Sequence, residues 1–61
     1  MTAAQKEWAL SRTSDLFRDL ELGRIDLIDA VQIVLARINT GTLSRAEARY
    51  IIKKLAKFKV K

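Results

Sequence analysis

The chain has no cysteine, no histidine and no proline, and only two of its 61 residues are glycine. Each absence removes a class of structure or chemistry. Without cysteine no disulfide can staple the fold, and without cysteine or histidine the common zinc ligands are gone. The same lack leaves the redox compartment undetermined. There is no imidazole for general acid–base work and no thiol nucleophile. No glycine-rich phosphate loop is present. Ser11, Thr13 and Ser14 have no base or oxyanion partner nearby in sequence. The reading is a protein that is not an enzyme, with no cofactor, no metal and no small-molecule substrate.

Carboxylates are the only metal-binding type left. Asp15 and Asp19 lie one helical turn apart beside Arg12 and Arg18, which suits local ion pairing. Asp26 and Asp29 suit helix capping better than a cation. Long apolar runs are missing too. The longest, Ile33-Val34-Leu35-Ala36, falls far short of a bilayer span. Lys6-Glu7 interrupts the N-terminal stretch where a signal peptide would be apolar. The expected location is therefore cytoplasmic, with no membrane partner.

What is present favours helix. Ala, Leu, Ile, Lys, Arg and Glu dominate, and 49% of residues are hydrophobic against 31% charged, which suits a globular domain rather than a disordered one. A chain of this length makes one domain that buries only about 60% of its unfolded surface. Stability must come from packing, capping or association.

The two glycines, Gly23 and Gly41, sit where helices end, because glycine takes the left-handed conformation without a Cβ penalty. This predicts an all-α, compact three-helix domain with helices at about 3–21, 27–39 and 45–58. Residues 1–61 form a single unit, with a terminal tail prone to fraying. The stretch from Gly23 to Val34 matches that from Gly41 to Ile52 in the same register. Asp26 and Ser44 fall at N-cap positions, Asp29 and Glu47 three residues later, and Ile25 and Leu43 just before as hydrophobic staples. Thr2 with Gln5 opens the first helix the same way. A duplication would produce this match, and so would two well-capped helices converging on one grammar.

Helical projection gives three stripes. The first holds Ala9, Leu10, Thr13, Leu16, Phe17 and Leu20. The second holds Leu27, Ile28, Val31, Val34, Leu35 and Ile38. The third holds Ala48, Ile51, Ile52, Leu55 and Phe58. Two large residues fall off them. Trp8 projects among Arg12, Asp15 and Asp19, and Ile33 projects near Asp29 and Arg37. Trp8 reads either as a residue folded over the bundle edge or as an interface anchor. Trp8, Arg12, Ile33 and Arg37 are thus the candidate protein-binding patch, for a partner protein or for a homodimer.

Charge is unevenly spread. Residues 1–44 carry five basic and six acidic side chains, whereas residues 45–61 carry seven basic ones and only Glu47. Arg45, Arg49, Lys53, Lys54, Lys57 and Lys61 occupy the arc of the third helix opposite its apolar stripe, with Tyr50 among them. Such a row suits a phosphate backbone, an acidic protein surface, or plain solubility. The reading taken forward is a regulatory or accessory protein binding nucleic acid. Base-reading by a helix-turn-helix is disfavoured, because Thr40, Thr42 and Glu47 stand where that motif wants apolar residues.

Overall fold

The computed structural model describes residues 1–58, and they form an all-helical unit. Among them are four helices, α1 (Ala3–Arg12), α2 (Ser14–Glu21), α3 (Leu27–Asn39) and α4 (Arg45–Lys57). The expected first helix is therefore two. The break is at Thr13, which is fully buried and has φ −121° and ψ 14°. Its hydroxyl donates to the Ala9 carbonyl at 2.9 Å, and its N–H goes to Leu10 O at 3.2 Å. A threonine bonding back to the preceding turn bends a helix. The Thr13 carbonyl then accepts from Leu16 N–H at 3.0 Å and starts the new turn.

Helix starts follow the expected chemistry. The Gln5 N–H donates to Thr2 Oγ1 at 3.1 Å while the Thr2 N–H donates to Gln5 Oε1 at 2.9 Å. Ser44 and Glu47 make the same reciprocal pair, at 3.2 and 2.9 Å. At α3 only half of this box forms: Asp26 Oδ1 accepts from Asp29 N–H at 2.8 Å.

Both glycines end their helices in the left-handed region, at φ +76° for Gly23 and +80° for Gly41. Each closes two carbonyls of the preceding turn. Gly23 N–H donates to Leu20 O and Arg24 N–H to Asp19 O. Gly41 N–H donates to Ile38 O and Thr42 N–H to Arg37 O. These four bonds span 2.8–3.1 Å.

Helix α4 packs against both α1 and α3, and α2 packs on α3. The core holds Ala9, Leu16, Leu20, Ala30, Val34, Leu43, Ala48, Ile51 and Leu55. Phe17 and Phe58 meet edge-to-face at 5.6 Å beside it. The stripes expected on the first and third helices point inward. The second is rotated. Ala30 and Val34 are buried and Ile33 packs against the core, while Leu27, Ile28 and Leu35 lie exposed. The buried alanines Ala9, Ala30 and Ala48 account for this: small side chains let helices approach closely, so α3 turns Ala30 inward at the expense of bulkier neighbours. No helix of the described residues is long and apolar enough to cross a membrane.

Candidate nucleic-acid interface

Helix α4 carries its apolar and basic residues on separate arcs. With Ala48, Ile51 and Leu55 buried, Arg45, Arg49, Lys53, Lys54 and Lys57 are all exposed and Tyr50 is half-buried. Arg49, Lys53 and Lys57 recur every four residues, so they stand about 6 Å apart along the axis. Lys54 and Lys57 also lie in the last turn, where the helix dipole favours positive charge.

The one carboxylate on α4 is otherwise engaged, since Glu47 accepts the Ser44 N–H. The two ion pairs found among the described residues are Arg24–Asp19 at 3.9 Å and Arg37–Asp15 at 2.8 Å. Neither uses an α4 cation. Two shallow depressions run along this face. One, of about 300 Å³, is lined by Met1, Lys6, Ala46, Arg49, Tyr50 and Lys53. The other, of about 200 Å³, is lined by Tyr50, Lys53, Lys54 and Lys57. Both are lined in part by Tyr50 and Lys53, and no acidic residue lines either.

Lys6 is a member that sequence reasoning missed. Its Nζ lies 5.7 Å from the Tyr50 ring centroid, and Lys54 Nζ lies 5.6 Å from it. The aromatic among cations was visible in the sequence, but the cation arriving from α1 depends on how α1 and α4 dock. Lys61 lies outside the described residues.

The other nominated patch is partly assembled. Trp8 is 54% exposed, and the Arg12 guanidinium sits 4.4 Å from its ring centroid. Arg12 Nη1 also donates to the Thr42 carbonyl at 2.7 Å. Arg37 Nη1 donates to the Arg12 carbonyl at 2.7 Å, and the Arg37 guanidinium grips Asp15 at 2.8 and 3.2 Å. Trp8, Arg12 and Arg37 are thus linked in one chain of contacts. Ile33 lies one turn before Arg37 on α3 but packs against the core. The hydrogen bond from Arg37, aided by its charge, lowers the Asp15 pKa against the opposing effect of partial burial.

Among the described residues no cluster of three or more acidic, histidine or cysteine side chains could hold a metal ion. The chain matches no family model, no curated protein and no solved structure.

Proposed function

We propose that the chain is a small non-catalytic accessory protein that binds nucleic acid through the basic face of α4. The observation that carries this reading is the set of five exposed α4 cations, none paired with a carboxylate among the described residues, on a face with two depressions free of acidic groups. Arg45, Arg49, Lys53, Lys54 and Lys57 of α4, with Lys6 of α1, are the groups assigned to phosphate. Binding is driven by release of counterions from the nucleic acid, and it is sequence-tolerant because phosphate contacts carry no base information.

Tyr50 supports the backbone reading over base stacking. Two ammonium groups already lie 5.7 and 5.6 Å from its ring centroid, and a base stacking there must displace one of them. The lack of histidine and cysteine supports a non-catalytic role. The cytoplasm is the compartment proposed for it.

Fluorescence anisotropy against labelled duplex DNA and single-stranded RNA tests the proposal. Engagement of about four phosphates gives a slope near −3.5 in log K against log salt on duplex DNA. Lys53→Glu with Lys57→Glu is expected to weaken binding at least about tenfold and to flatten that slope. Unchanged binding by a folded double variant at low salt would sink the reading. Tight capture of an acidic protein, without nucleic acid binding, would do the same.

A second reading rests on Trp8, whose 54% exposure suits an anchor for a partner protein. Under it, Trp8→Ala abolishes partner capture while leaving nucleic acid binding intact.

A further inference from the structure

Tyr50 is common to both depressions of the basic face. It lines them together with Lys53, whereas Lys6 and Arg49 line only the larger one and Lys54 and Lys57 only the smaller. One lysine of each depression is turned onto its ring: Lys6 Nζ lies 5.7 Å from the centroid and Lys54 Nζ 5.6 Å. Both fall within the roughly 6 Å over which an aromatic face attracts a cation. They reach the ring by different routes. Lys54 follows Tyr50 by four residues on α4, so the two side chains are neighbours on the helix surface. Lys6 comes from α1, which packs on α4.

Charge alone would not bring these lysines together. Their distances to one ring put the two ammonium groups at most about 11 Å apart, close to the screening length of about 10 Å at 0.1 M salt, so they repel. Arg49 and Lys53 stand in the same depression as Lys6 and add to the repulsion. The two ion pairs among the described residues, Arg24–Asp19 and Arg37–Asp15, give neither lysine a carboxylate partner. Both lysines are exposed and have solvent to extend into. Tyr50 is half-buried and packs against the core, so its ring is a fixed platform for long, flexible cations. The core needs only an apolar side chain at this position. The aromatic face adds the attraction for positive charge.

We infer that Tyr50 is a positioning residue: its ring holds Lys6 and Lys54 ready, one in each depression, for two phosphates of a single strand. This rests on the reading of α4 as a nucleic acid interface. A lysine ordered only on binding loses its rotamer freedom at that moment, which weakens the complex. A lysine already resting on a ring has lost part of that freedom beforehand, and its ammonium keeps N–H donors for a phosphate oxygen. The span fits one strand. Duplex DNA carries a phosphate about every 3.4 Å of axis on each strand, so the two ammonium groups serve phosphates within about three steps of each other. In this role the ring acts through the lysines and reads no base.

NMR and fluorescence anisotropy together test it. In the free wild-type chain the ε-methylene protons of Lys6 and Lys54 are expected upfield of those of the other lysines, through the ring current of Tyr50. They should keep that shift when duplex DNA is bound. Tyr50→Phe retains the ring and should bind labelled duplex DNA within about twofold of wild type. Tyr50→Leu keeps an apolar side chain against the core but has no aromatic face. With helix content retained by circular dichroism, it should bind at least about threefold more weakly, at an unchanged slope of log K against log salt, because every cation remains. Lys6→Gln removes a charge and should both weaken binding and flatten that slope. If Tyr50→Leu loses its helices, the wild-type shifts, free and bound, decide alone. Four results overturn the inference: lysine resonances with no upfield shift, a shift that disappears in the complex, a folded Tyr50→Leu that binds like wild type, or a Tyr50→Phe as weak as Tyr50→Leu. None of these touches the functional reading. That reading falls, and takes the inference with it, when the wild type binds neither duplex DNA nor single-stranded RNA.

Discussion

Replacing Arg37 with alanine removes the clasp that spans the break between α1 and α2. Arg37 makes two distinct interactions there. One is the hydrogen bond to the Arg12 carbonyl at 2.7 Å, and the other is the paired contact with Asp15 at 2.8 and 3.2 Å. The carbonyl contact is charge-assisted and, lying at the surface, contributes about 1.5 kcal/mol, the low end for such a bond. The ion pair is discounted because the Asp15 side chain is 59% exposed, so solvent and salt screen it and about 0.5–1 kcal/mol remains. Arg37→Ala should thus cost about 2 kcal/mol, a drop in Tm of about 8–16 °C for a domain of this size. Asp15→Asn removes only the ion pair and should cost about 0.5–1 kcal/mol. Urea titration followed by far-UV circular dichroism is the assay. pH separates the two parts. The folded pKa of Asp15 lies below its ordinary 3.8, so its contribution is complete above that value and is lost as pH falls through the folded one. Once the pH lies well below that lowered folded pKa the cost of Asp15→Asn should vanish, while Arg37→Ala keeps the cost of the carbonyl bond. Equal costs for the two variants at neutral pH would refute this account, as would an Arg37→Ala stability indistinguishable from wild type.

Thr13→Val keeps the shape of the buried side chain but strips the hydroxyl from the Ala9 carbonyl, and should cost about 1–2 kcal/mol by urea titration. Gly41→Ala meets open space around its new Cβ, so only the positive φ opposes it. It should lose about 1 kcal/mol, and Gly41→Asn less, as read from paired thermal melts. Ser44→Ala breaks the reciprocal cap of α4 and should cost about 1 kcal/mol, with faster amide exchange at the first turn of α4 as the local signature.

Local chemistry was the legible part of the fold. The starts of α1, α3 and α4 and the ends of α2 and α3 were readable, because each is set by hydrogen bonds among residues close together in the chain. The break at Thr13 was not. A threonine inside an apolar helical stripe is ordinary, and the Arg37 that clasps this one comes from α3, two helices further along the chain. Rotation of α3 was hidden for a related reason: projection ranks residues by bulk, but the packed helices chose Ala30. At the candidate site, the α4 cations were legible as a periodic row. The place of Lys6 beside Tyr50 was not, since it follows from how α1 lies on α4. The exposed apolar side of α3 was present in the sequence as residues assigned to the core.

The guanidinium of Arg12 touches the Trp8 ring on one side and the Thr42 carbonyl on the other. Thr42 belongs to the turn that carries the chain from α3 into the basic helix. Trp8 is the sole tryptophan, and Arg12 ties its ring to that one turn. Its emission is therefore an inbuilt optical gauge of a single joint. A ligand that shifts the turn moves a cation on an indole face, and the protein reports the event without a label.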